Sequence, residues 1–198
     1  MKKWYIVIII IVILAVIFGG SYTSARNNMV RKKEQVSSQW SQVNVVIQRR
    51  ADLIPNLVAT VKGYAAHEEI VFDQVTKARE ALLAAHTPAG RIQANGQLDG
   101  ALGHLLAIVE NYPQLKANEN FLELQDQLEG TENRIAVERR RYNQAVQGYN
   151  TYIGLFPNNV YARWAGFARD NDYFNASPGA EQAPKVQFPG APAMQQAN

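Results

Sequence analysis

The chain has no cysteine, which excludes a disulfide framework, a thiolate nucleophile and a lipid anchor on an N-terminal cysteine. Histidine is almost as scarce, at His67, His86 and His104. His67-Glu68 opens like the H-E-x-x-H motif of zinc proteases, but the second ligand would fall on Val71, so the motif fails on its own spacing. A metal site inside a helical bundle would draw Glu-x-x-His pairs from two helices, and three scattered histidines do not supply them. There is no G-x-S-x-G and no glycine-rich phosphate loop following a strand, so nucleophilic and nucleotide chemistry find no foothold. Charge of one sign is also in short supply, since a net +3 is spread along the chain without a dense basic tract, which argues against nucleic acid as a partner. No catalytic residue, metal or cofactor is therefore expected, and the chain reads as a non-enzyme.

What the sequence does have is one long apolar run. Lys2 and Lys3 precede an uncharged stretch from Trp4 to Tyr22, which at about 1.5 Å per residue nearly matches the ~30 Å hydrocarbon layer. Trp4, Tyr5 and Tyr22 stand where aromatic anchors belong, and Ile9, Leu14 and Phe18 represent the lipid-facing centre. A cleaved signal peptide shares this grammar, with small residues at Thr23 and Ala25. The apolar run outlasts a usual signal core, which favours a retained anchor over residues 1–27. Arg26, Arg31, Lys32 and Lys33 outnumber the two lysines before the span, so the count favours the N-terminus outside and the bulk of the chain in the cytoplasm.

Beyond the anchor the apolar residues recur at helical spacing. Val36, Trp40, Val43, Ile47 and Ala51 mark a first helix over about 28–52. Pro55 lacks an N–H and restricts Ile54, so a chain reversal is expected between Asp52 and Pro55, with a second helix from Pro55 to Ala85. Thr87, Pro88 and Gly90 end it. A third helix over about 93–111 carries Leu98, Leu102, Leu105, Leu106 and Val109, and a fourth over about 118–156 carries a strict three-four line from Phe121 to Tyr152, broken by Thr131 and Glu138. The expected fold is all-α, an N-terminal transmembrane helix followed by an antiparallel up-and-down four-helix bundle over 28–175. Residues 176–198, rich in Pro, Ala and Gln, have no apolar period and are expected to be disordered.

Ten polar residues fall on or beside the core lines: Arg50, Asp52, Asn56, Glu68, Glu132, Asn133, Glu138, Arg139, Asn143 and Asn150. They read either as a hydrogen-bonded network that fixes helix register or as a polar seam for a small ligand or peptide. Within it Glu68 and Glu138 are expected to be held by cations such as Arg50 or Arg139, because an unpaired buried carboxylate is costly. Helix counting places Pro157 at the membrane-proximal end. Tyr161, Trp164, Phe167, Tyr173 and Phe174, interleaved with Arg163 and Arg169, then read as a headgroup-layer segment or as a cap on the open end of the bundle.

Long motifs add a resemblance. R-R-x-D-L-I-P-N-L-V-x-T-V-K-G-Y-A-x-H-E at 49–68, A-R at 78–79, E-N-Y-P-x-L-K-A-N-E-N-F at 110–121, T-E-N-R-I-A at 131–136 and R-x-Y-N-x-A-V at 140–146 resemble the bacterial LemA family. The likeness covers the chain between Arg49 and Phe174 and leaves the C-terminal tail outside. It implies a single-pass, membrane-anchored helical bundle with a short N-terminus outside and the bundle inside. It carries over no catalytic residue, because the family has no established enzymatic activity. Together these readings predict a scaffold or adaptor in the bacterial inner membrane. Its partners are expected to be lipid through the N-terminal helix and other membrane or envelope proteins, with self-association open. The competing expectation is a ligand- or peptide-binding module that uses the polar seam.

Overall fold

The computed structural model describes residues 2–174, with side chains from Trp4 onward. The tail 176–198, expected to be disordered, lies outside the described residues. Among the described residues every regular element is a helix. In chain order they are α1 (Lys2–Lys62), α2 (Glu69–Ala84), α3 (Pro88–Val109), the single turn α4 (Pro113–Lys116), α5 (Glu119–Gly154) and α6 (Asn158–Ala165).

The reversal expected at Asp52–Pro55 does not occur, because α1 continues through Pro55 for a further two turns. At 61 residues the helix is roughly 90 Å long, so the apolar run and the first helix of the folded part are one rod. Proline in a helix interior removes one i→i−4 hydrogen bond and costs about 3 kcal/mol. Here the carbonyl left without its partner, that of Ala51, accepts instead from Arg79 Nε of α2 at 2.8 Å. Ile54, Leu57 and Val61, all buried, hold this stretch of the rod against its neighbours. The chain reverses one helical turn after Lys62, where Tyr64 and Ala65 donate back to the Val61 carbonyl and Gly63 to that of Ala59. Leu57 and Val61 therefore belong to the first helix, not the second.

The later boundaries follow local chemistry. Thr87 caps α3 by accepting from Gly90 N at 3.1 Å, with Pro88 in the first turn, where a missing N–H costs nothing. Asn118 caps α5 by accepting from Phe121 N at 3.1 Å. Gly166, at φ 75°, adopts the left-handed conformation that ends α6.

Helix α5 runs antiparallel along α1. As the α1 partner climbs from Lys32 through Trp40 and Arg50 to Tyr64, the α5 side falls from Tyr152 through Tyr142 and Glu132 to Asn118. Phe121, Leu128, Thr131, Ile135, Tyr142 and Tyr149 of the three-four line are buried, and towards the C-terminal end burial shifts from Ala145 and Tyr152 to Val146, Asn150 and Ile153. Helices α2 and α3 pack as a hairpin on the distal half of α1. The proximal half is covered by α6 and by residues 166–174, which run back up the α1–α5 pair without helical structure. Chain directions alternate, so Pro157 falls at the end nearest the apolar run. There Tyr161 meets Phe18 and Tyr22 edge-on, both at 5.6 Å between ring centroids.

Candidate functional site

The ten polar residues resolve into separate clusters along the rod. At the distal turn, Glu68 accepts from Tyr112 OH at 3.3 Å, and Asn118 Nδ2 donates to Tyr64 OH at 3.0 Å. Asp52, Asn56 and Asn133 are exposed, and Asp52 accepts from Gln48 one turn earlier.

In the middle, Arg50 is only 7% exposed. Its Nη1 lies 2.5 Å from Asp99 Oδ1 of α3 and 2.6 Å from Glu132 Oε2 of α5, tying three helices together. The expected hold of Arg50 on Glu68 is therefore corrected: two nearer carboxylates claim the guanidinium. Buried Asn95 donates to the other oxygen of Asp99 at 3.1 Å. Neither Asn95 nor Asp99 stood out in sequence, because α3 is rich in small and apolar residues and shows no clean polar line. Arg50 Nε and Glu132 Oε2 are buried without a hydrogen bond, the 2.6 Å contact being close but off-axis. These two residues, with Leu57, Leu102, Leu128 and Gln125, line a groove of about 270 Å³ between α3 and α5.

The proximal cluster grips the extended segment. Asn150 Oδ1 accepts from Asp170 N at 2.9 Å while its Nδ2 donates to Asp170 O at 2.6 Å and to Tyr173 OH at 3.0 Å. One heptad earlier Asn143 does the same to Phe174, accepting from its N at 3.0 Å and donating to its O at 2.8 Å. Two amides thus act as backbone clamps. Arg139 lies over the Phe174 ring at 4.7 Å, and Glu138 accepts from Arg141 Nη1 at 2.8 Å. Burial, followed by the Asp170 and Asp172 carboxylates, pushes the Tyr142 phenol well above its usual range; burial and Asp170 raise Tyr149 in the same way.

The five aromatics, read as a headgroup-layer segment or as a cap, divide. Tyr161 is buried against the end of the apolar run, while Trp164 packs on Phe18 at 6.1 Å and stays 65% exposed; Leu155 and Phe156 are exposed as well. Phe174 is buried between Trp40 and Tyr142, and Trp40 stands about 30 Å beyond Gly20 along the rod. Phe167 is partly buried against the core. The clamps explain the division, because they draw the chain up the rod after Gly166.

Trp4, Tyr5, Ile9, Leu14 and Phe18 are all exposed along one continuous apolar stretch of α1, and Tyr22 is the first partly buried residue. Among the described residues no group of three or more His, Asp or Glu is placed to hold a metal ion. The arrangement defines an all-helical protein with one helix long and apolar enough to cross a membrane, by length and composition. The chain belongs to the LemA family, whose model matches residues 39–188. The match runs past the motifs and into the tail, further than the resemblance read from sequence. Magnetosome protein MamQ 2 of Paramagnetospirillum magneticum is 30% identical over 78% of this chain and 66% of its own length. MamQ of Magnetospirillum gryphiswaldense is 28% identical over the same shares, and Protein LemA of Metamycoplasma hominis is 23% identical over 69% of this chain and 63% of its own. The chain thus spans just under two thirds of the length of the curated relatives it matches.

Proposed function

We propose that this protein is a non-enzymatic scaffold of the bacterial inner membrane, built as a four-helix bundle from α1, α2, α3 and α5 on an N-terminal transmembrane anchor. The observation that carries the reading is the seating of Tyr161 on Phe18 and Tyr22, with Ser21 Oγ and Tyr161 OH 3.4 Å apart. It joins the folded part to the apolar run without a hinge, since α1 passes unbroken from one to the other. A rigid rod of this kind holds its tip, near Lys62 and Lys116, about 60 Å from the end of the apolar run and presents its exposed faces at fixed heights. The names of the relatives, magnetosome protein and LemA, describe no enzyme. The lysine and arginine count after the span supports the N-terminus outside and the bundle in the cytoplasm.

In this reading the partners are lipid around the apolar run and other membrane or envelope proteins along the rod, a second copy of the chain included. Amine-reactive cross-linking in the native membrane, followed by mass spectrometry, tests it. Exposed Lys62, Lys77 and Lys116 should link reproducibly to peptides of other envelope proteins. Links confined to the chain itself would remove the scaffold role.

A further inference from the structure

Charge is sorted along the rod. The first carboxylate in the chain is that of Glu34, and none stands between Glu138 and Asp170, whereas α5 carries five carboxylates and no cation from Glu119 to Glu132. Because α5 runs antiparallel along α1, with Lys32 over the Tyr152 ring at 5.6 Å, and α6 returns to Phe18 and Tyr22, the two stretches without carboxylates meet at the membrane-proximal end. The acidic stretch lies towards the distal end. Six cations surround the proximal one: Arg26, Arg31, Lys32 and Lys33 of α1, Arg163 of α6 and Arg169 just beyond it. Among the described residues none of the six is ion-paired, and all but Lys32 are exposed. Arg163 lies between Tyr161 and Trp164, which both pack on Phe18, and Arg169 lines a cleft with Lys33. Glu34, Asp170 and Asp172 mark the upper edge of this collar.

We propose that the collar is a seat for anionic phospholipid headgroups, which gathers acidic lipid around the anchor and holds the rod upright, its carboxylate-rich distal half repelled by the same surface. This seat rests on the reading of α1 as a membrane anchor. Height supports it: along α1, Arg26 stands about 6 Å beyond Tyr22 and Lys33 about 17 Å. A headgroup layer is roughly 5–8 Å thick, the Debye length adds about 8 Å at physiological ionic strength, and long basic side chains reach several ångström further. All six cations therefore fall within the field of a charged bilayer. Chemistry supports it as well, since four of the six are arginines, whose planar guanidinium binds phosphate oxygens in pairs. Cations that only fix the topology of a span can sit beside it in sequence, as those of α1 do. Arg163 and Arg169 come from the other end of the folded part, and the packing of α6 on Phe18 and Tyr22 carries them back to the same surface.

Lipid selectivity at the protein surface tests the seat. The full-length protein is reconstituted in phosphatidylcholine vesicles with a trace of spin-labelled phosphatidylglycerol or spin-labelled phosphatidylcholine, and electron paramagnetic resonance reads the share of each probe that the protein immobilises. Phosphatidylglycerol should be held about fivefold more strongly at low salt, and the preference should fall close to unity in 1 M salt, where the Debye length is about 3 Å. Arg163→Gln with Arg169→Gln should lower the preference at least about twofold. Lys62→Gln with Lys77→Gln removes the same charge from exposed distal positions and should leave it unchanged. Equal immobilisation of the two probes at low salt overturns the proposal. So does a preference that survives the Arg163 and Arg169 changes, which assigns it to α1 alone, or one that the distal pair lowers as much, which assigns it to net charge. Immobilisation of neither probe would overturn the anchor reading itself, and the seat with it.

Discussion

Arg79 donates its Nε–H to the carbonyl of Ala51 at 2.8 Å, the one acceptor in α1 that Pro55 deprives of its helical partner. An arginine from α2 thus stands in for a backbone amide that proline cannot offer. The same bond pins α2 against the rod, so one contact serves both the helix and the packing.

The replacement is testable by a double-mutant cycle. Arg79→Ala should lower stability by about 1–3 kcal/mol, because it leaves a buried carbonyl unsatisfied. Pro55→Ala restores the amide, and in that background Arg79→Ala should cost at least about 1 kcal/mol less. Thermal unfolding of the four proteins followed by circular dichroism gives the coupling. Additive costs would mean that Arg79 contributes only by packing.

This pair also shows where sequence reading stops. The apolar lines of α1 and α5 were legible because burial imposes a period that survives in the residues themselves, from Val36 to Ala51 and from Phe121 to Tyr152. The break at Asp52–Pro55 was misread because the rule for proline is local, whereas its remedy, Arg79, lies 28 residues away. Arg50 was singled out as polar on an apolar line, yet its partner Asp99 was not, since nothing local distinguishes that aspartate from a solvated one. Asn143 and Asn150 stand out in sequence as members of a polar network or seam, but not as backbone clamps. Their partners are main-chain atoms of residues 170–174, and no side-chain pattern encodes a backbone acceptor.

The Asn150 clamp should be the more sensitive of the two to substitution. It is buried and makes three hydrogen bonds to Asp170 and Tyr173. Asn150→Asp keeps the acceptor, loses both donated bonds and sets a charge beside Asp170, so it should cost about 2–3 kcal/mol. Hydrogen exchange should show amides of residues 168–174 losing protection while the middle of α5 keeps its own. Unchanged protection over 168–174 would remove the clamp.

Alkaline pH should weaken the fold through Tyr142. Burial and the nearby Asp170 and Asp172 carboxylates raise its phenol above the ordinary value of about 10. The folded state therefore keeps a proton that the unfolded chain releases, so this contribution is intact below about pH 10 and declines as pH climbs towards the folded-state value. Tyr142→Phe keeps the ring against Trp40 and Phe174 but removes the titrating group. The melting temperature of this variant should fall less steeply above pH 10 than that of the parent. Identical slopes would assign the alkaline sensitivity to other groups.

Trp164 offers the most direct probe of how the folded part meets lipid. It sits on α6, packs on Phe18 near the end of the apolar run and leaves most of its surface exposed. An indole in that position has an apolar body to bury and an N–H to keep wet, the combination that favours the headgroup layer. A full-length protein with Trp4→Phe and Trp40→Phe retains Trp164 as its only tryptophan. In lipid vesicles its emission should be blue-shifted relative to detergent-free water, and lipids brominated near the headgroup should quench it more than lipids brominated near the chain ends. Arg163→Glu, which reverses an exposed charge on the same short helix, should reduce quenching in anionic vesicles and leave it nearly unchanged in neutral ones. Emission indifferent to brominated lipid at every depth would leave α6 as a cap on the other helices, with no contact to the membrane.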